Sequence, residues 1–153
     1  MDSVSELVLR EQIMHELARM TAEQGYLTRD QLSALAVGDQ TRRVIDTSKG
    51  IWNPRDLQAT LSVVSSPDGP YDDHELDGAL FRYAYRAGSV AGDNAKLRRA
   101  MELRLPIILL RKQRANEYVP LFPVYVIEDD QPHRQFVLAL DELVRVLGSS
   151  DSV

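Results

Sequence analysis

The sequence predicts an α+β fold in which a small, curved, partly open β-barrel follows an N-terminal helical element. Three observations predict it. Residues 1–36 carry apolar side chains at helical spacing. From Thr41 onward the texture changes to short β-type segments divided by turn-rich stretches. A single internal helix interrupts those segments, and the alternating strand–helix rhythm that builds a parallel sheet is missing.

Each element follows in order. Ser3-x-x-Glu6 reads as a capping box, and Val4, Leu7, Val8, Ile13, Met14, Leu17 and Ala18 recur at roughly helical intervals. Gly25 closes that helix, and Thr28-x-x-Gln31 opens a short second one ending near Ala36. A long helix, a glycine turn and a capped short helix can begin a helix-turn-helix or winged-helix fold, and any two-helix packing element looks the same. Strands are expected at 43–46, 61–64, 80–86, 107–110, 118–127 and 135–140. Segment 65–73, rich in Ser, Pro, Asp and Gly, is a loop. Within 80–86, Phe81, Tyr83 and Tyr85 alternate with Leu80, Arg82, Ala84 and Arg86, so the aromatic residues share one face. Asn94 is placed to cap a helix reaching about Leu103, and Pro106 breaks the chain before the next strand. Asp129-Asp130-Gln131-Pro132 is a turn, and Asp141 caps a last short helix through Leu147. The expected division is a helical element over 1–40, a barrel over 41–147 and a disordered tail over 148–153.

Composition narrows the function classes. At 44% hydrophobic and 27% charged residues the chain is that of a folded globular protein, and its lack of cysteine excludes disulfides, thiolate metal sites and cysteine nucleophiles. No apolar run is long enough for a membrane helix and no secretory leader is evident, so a cytoplasmic protein with no membrane partner is expected. The net charge of −5 hides an asymmetry: 82–114 holds nine basic residues against Asp93 and Glu102, so that stretch carries +7 and the remainder −12. Such a stretch suits one face docked on phosphates, or a solvated helix and loop.

Catalytic signatures are sparse. Glycine-rich phosphate loops, paired metal-binding histidines and a Gly-x-Ser-x-Gly elbow are all missing. His15, His74 and His133 fall in a helix, an acidic loop and a turn. Asp72, Asp73, His74, Glu75 and Asp77 could form a hard-metal site, and a metal-dependent nuclease using Asp72 and Asp73 is one alternative reading. No metal or cofactor is expected on the preferred one.

Several features then coincide in order. Gly50-Ile51-Trp52-Asn53-Pro54 precedes Leu61-Ser62-Val63-Val64, and Gly69-Pro70-Tyr71-Asp72-Asp73-His74 is followed by Gly78. Phe81-Arg82-Tyr83 sets Tyr83 twelve positions after Tyr71. Asn94-Ala95-Lys96-Leu97, Leu105-Pro106-Ile107-Ile108-Leu109-Leu110-Arg111, Tyr118 and Pro123-Val124-Tyr125-Val126 complete the set. Over roughly residues 41–141 this order resembles the SRA (SET- and RING-associated) domain, a PUA-like curved barrel that reads modified cytosine. It is most similar to the SRA-like N-terminal regions of bacterial modification-dependent restriction endonucleases that continue into an HNH nuclease.

The resemblance implies a DNA-binding reader that flips a modified cytosine, whether methylated, hydroxymethylated or bulkier, out of double-stranded DNA. It implies the specificity module of a restriction-modification system, with an HNH nuclease domain or subunit as partner. No HNH motif is present, so the chain alone is not expected to be an enzyme. Tyr71 and Tyr83 match the family's two stacking tyrosines. The family's acidic residue, three positions after the first tyrosine, is His74 here with Asp73 one earlier, so either Asp73 takes its role or His74 reads another edge. Arg82, Arg86, Lys96, Arg98 and Arg99 are candidate backbone contacts, with Arg42, Arg43, Lys49 and Arg55 as a second group. Trp52 is a further stacking candidate or a core residue. A non-enzymatic winged-helix regulator or interaction protein is the remaining alternative.

Overall fold

The computed structural model describes residues 1–67, 69, 71, 73–76, 79–86 and 92–140. Helix α1 (Ser3–Gln24) starts from Asp2, whose carboxylate accepts from the Ser5 amide, and ends at Gly25 in the left-handed region (φ 83°). The expected Ser3–Glu6 box does not form. Glu6 is drawn fully inside, where it accepts from Arg10 and from the Gln58 amide. Helix α2 (Arg29–Ser33) does carry the Thr28–Gln31 capping box. It is cut short by a hairpin of β1 (Leu35–Val37) and β2 (Gln40–Arg42), which replaces the strand expected at 43–46.

The main sheet contains β3 (Ile51–Trp52), β4 (Ser62–Ser65), β5 (His74–Leu76), β6 (Leu80–Ala84), β7 (Ile107–Arg114), β8 (Glu117–Asp130) and β9 (Gln135–Ala139). Helix α3 (Asp93–Leu103) precedes β7. The seven strands run in the order β3-β4-β7-β8-β9-β6-β5, antiparallel except for the parallel β4–β7 pair. Strand β8 spans 14 residues and binds β7 with its first half and β9 with its second, so one strand carries the sheet around the bend. Among the described residues no ladder joins the end strands β3 and β5; an ion pair links Glu75 on the end strand β5 to Arg111 on the interior strand β7. The result is a partly open, curved α+β barrel.

Both faces of this sheet are covered, which explains the unbroken run Ile107-Ile108-Leu109-Leu110. Ile107 and Leu109 join a core with Phe81, Tyr83, Phe136, Leu138 and the α3 residues Leu97 and Ala100. Ile108 and Leu110 point the other way, into a core with Ile13 and Leu17 of α1, Leu32 of α2 and Leu61. Arg10 fastens α1 across this second core. Its buried guanidinium donates to the Ala59, Thr60 and Pro106 carbonyls while pairing with Glu6 at 2.7 Å. No helix among the described residues is long and apolar enough to cross a membrane. The helix expected at 141–147 and the tail at 148–153 lie outside the described residues.

Candidate functional site

Strand β6 sets the floor of the site. Its alternation turns Phe81 and Tyr83 into the core, and Tyr83 is fully buried. The Tyr83 hydroxyl meets the carbonyls of Gly50 at 3.2 Å and Val64 at 3.3 Å. Burial pushes its pKa well above the ordinary phenol range. Gly50 leaves room for this approach: a Cβ there would stand 3.0 Å from Arg86 Nε and 3.3 Å from the Tyr83 hydroxyl.

Past β6 the chain is held by Asn94, which sequence reading assigned to a helix cap. Gly92 occupies the cap position, and the Asn94 amide instead accepts from the Arg86 backbone N–H and donates to the Arg86 carbonyl, both at 3.1 Å. With its backbone fixed, Arg86 folds its side chain inward. Nη1 donates to Asp73 Oδ1 at 3.0 Å and to the Ala84 carbonyl at 2.8 Å. Nη2 donates to Asp73 Oδ2 at 2.5 Å and to the Val64 carbonyl at 3.0 Å. Asp73 Oδ1 also accepts from the Ala84 amide at 2.9 Å. Burial alone would lower the Arg86 pKa, but the hydrogen bonds and charge of Asp73 more than offset it and hold it above the usual guanidinium value.

The same guanidinium carbon lies 3.7 Å from the Tyr83 ring centroid and 4.2 Å from that of Tyr71. Two tyrosines twelve residues apart therefore close on one planar cation, an arrangement that cation–π attraction and stacking both favour. Tyr83 is the buried wall and Tyr71 the partly exposed one. Asp73, rather than His74, supplies the carboxylate in this cluster. His74 sits on β5 opposite Arg82 of β6.

Beside the cluster opens a cavity of about 200 Å³. That exceeds the ~150 Å³ of an engineered cavity that admits benzene. Its lining includes Tyr71, Asp73 and Arg86 together with Arg29, Lys49, Lys112 and Tyr118. Four cations thus face one carboxylate, which is suited to an anionic ligand edge. Arg29 is oriented by the Asp46 carbonyl at 2.8 Å and the Tyr118 hydroxyl at 3.0 Å. Lys49 reaches Asp93 at 3.5 Å, whereas Lys112 forms no ion pair among the described residues. Arg29, Lys112 and Tyr118 were missed from sequence because three separate elements bring them together.

The other candidates are dispersed. Arg42 makes a two-armed pair with Asp56 at 2.6 and 3.1 Å. Arg43 donates to Ser33 and to the Ile45 carbonyl, and Arg55 is exposed. Arg98 is tied to Asp129, which also accepts from Tyr85. Lys96 and Arg99 are exposed on one side of α3, with Arg99 3.8 Å from Glu102. Arg82 Nε is buried without a hydrogen-bond partner among the described residues. Trp52 is partly buried: it packs against the second core and donates its indole N–H to the Arg43 carbonyl at 2.9 Å. In the acidic loop, Asp73 pairs with Arg86 and Glu75 with Arg111, and Asp72 and Asp77 lie outside the described residues. No group of three or more His, Asp or Glu able to hold a metal ion occurs among the described residues.

No protein-family model matches the chain, and no curated protein matches it by sequence. Solved structures are similar to it in fold. The SUVH5 SRA domain in complex with methylated CHH DNA is similar over 73% of this chain and 82% of that one, at 19% identity and TM-score 0.52. The SUVH5 SRA domain bound to fully hydroxymethylated CG DNA is similar over 61% and 75%, at 18% identity and TM-score 0.47. With the seven-stranded curved sheet and its covering helices, the first of these likenesses shows that the chain has the fold of an SRA domain.

Proposed function

We propose that the chain is a DNA-binding reader that takes a modified cytosine, flipped out of a duplex, between Tyr71 and Tyr83. The observation that carries this is the single planar group, the Arg86 guanidinium, that lies against both rings and is paired with the Asp73 carboxylate. Flipping costs a few kcal/mol, and each aromatic stack returns ~1–3 kcal/mol, so two rings suffice once phosphate contacts hold the backbone. Asp73 would accept from the cytosine amino group. Arg29, Lys49 and Lys112 would face the phosphates beside the extruded nucleotide. Lys96 and Arg99, exposed on α3, are further backbone contacts. The SUVH5 SRA domain, which shares the fold, was crystallised with methylated DNA, and this supports the same ligand class here. The wider setting, a modification-dependent restriction system with an HNH nuclease partner, draws its support from the sequence resemblance.

The test is a titration of matched duplexes carrying cytosine, methylcytosine, hydroxymethylcytosine or glucosylated hydroxymethylcytosine, at two salt concentrations. One modified duplex binding at least about tenfold tighter than the unmodified one at both salts is expected. Equal affinity for all four would overturn the reading.

A further inference from the structure

Arg86 does not have the exposure of a phosphate contact. Its side chain is 9% exposed, and four of its five N–H groups are already donated within the protein. Its guanidinium carbon lies 4.2 Å from the Tyr71 ring centroid and 3.7 Å from that of Tyr83. At contact distances of ~3.5–4.0 Å between stacked atoms, neither separation leaves room for a second flat group between the guanidinium and the ring. Arg86 therefore occupies the place against both rings that a stacked base would need.

We propose that Arg86 is the resident occupant of the base site, an internal surrogate for the nucleobase, and that recognition is an exchange in which the base displaces its guanidinium. This rests on the flipped-base reading above. The surrogate resembles the ligand in the features that matter: it is planar, it lies against both rings, and it presents N–H donors to Asp73. A flipped cytosine would bring its amino group to the place of Nη2 and its ring faces to the place of the guanidinium plane.

The exchange requires little of the fold. Asn94 clamps the Arg86 backbone from both sides, so only the side chain has to turn. The adjoining cavity of about 200 Å³ gives the released guanidinium somewhere to go, beside any phosphate held by Lys49 or Lys112. The occupant also has a function without DNA. It keeps the Asp73 carboxylate, 2% exposed, from standing as an unpaired buried charge. A base that enters must replace two ring contacts and a carboxylate partner, so DNA held loosely by the cationic rim leaves the site shut.

The first test needs no substitution. In the full chain the Arg86 Nε–H resonance should be displaced by the ring currents of Tyr71 and Tyr83. Saturation with the preferred modified duplex should abolish that displacement, while unmodified duplex leaves it in place. A resonance that keeps its ring-current shift in the saturated modified complex would overturn the exchange.

The second test removes the occupant. Arg86→Ala, checked for folding by its thermal transition, should bind the modified duplex at least about tenfold tighter than the wild type. Millimolar methylguanidinium chloride should raise the melting temperature of this variant and compete with the duplex, and should do neither to the wild type. A folded variant with unchanged affinity and no response to methylguanidinium contradicts the proposal. If the variant does not fold, the resonance measurement decides. Should the wild type show no preference among duplexes, the flipped-base reading and the exchange both fail; a clear preference with a stationary Arg86 sinks the exchange alone.

Discussion

Asp73 and Arg86 form a two-armed ion pair, at 3.0 and 2.5 Å, with the carboxylate side chain 2% and the guanidinium side chain 9% exposed. Removing one charge from such a pair leaves the other buried without compensation, which costs about 3–5 kcal/mol. Asp73→Asn is therefore expected to lower stability by about 3 kcal/mol, read from the midpoint of urea unfolding at unchanged slope. A loss below about 0.5 kcal/mol would mean that water reaches the pair freely.

Tyr83 gives the fold an alkaline weakness. Its folded pKa lies above the unfolded value near ~10, so its contribution is complete below that pH and is lost as pH rises through the folded value. Wild-type stability should fall between about pH 9 and about pH 11, and Tyr83→Phe should fall less. The same variant should lose about 1 kcal/mol at neutral pH, from the hydroxyl's contacts with the Gly50 and Val64 carbonyls. Unfolding midpoints at two pH values check both.

Arg10 tests how α1 is held. It is fully buried, pairs with Glu6 and donates to three carbonyls of the barrel. Arg10→Ala is expected to cost about 4 kcal/mol, since Glu6 would be left as a lone buried charge. Glu6→Gln with Arg10→Met should recover part of that loss, measured in the same urea experiment.

Lys112 tests the cationic rim. A phosphate contact contributes about −0.9 to the slope of log affinity against log salt on duplex DNA. Lys112→Ala should weaken binding to modified and unmodified duplexes by similar factors and make the slope shallower by about that amount. An unchanged slope would place Lys112 away from the phosphates.

The legible parts of the fold were those written in local pattern. The Thr28–Gln31 box, the alternation that sets Phe81 and Tyr83 on one face, and the strand at 107–110 all depend on near neighbours. Ser3–Glu6 and Asn94 misled for one reason. Polar side chains that suit a helix cap can serve a distant partner equally well, and here they bind Gln58 and Arg86. The tyrosine pair and Asp73 were named from sequence, but Arg86 was placed among the phosphate contacts. Its charge was visible; its burial depends on Val64 and Asp73, which lie 22 and 13 residues away. Arg29 and Lys112 belong to elements that meet only after the sheet has curved, and no local spacing marks them.

The clasp of two tyrosines on an extruded base is tested most directly by the fluorescence of 2-aminopurine placed next to the modified cytosine in a duplex. Loss of its stacked neighbour should brighten the probe when wild-type protein saturates the duplex, and Tyr71→Ala at saturation should leave it dim. A probe that stays dark in the wild-type complex, with binding confirmed independently, would contradict the account.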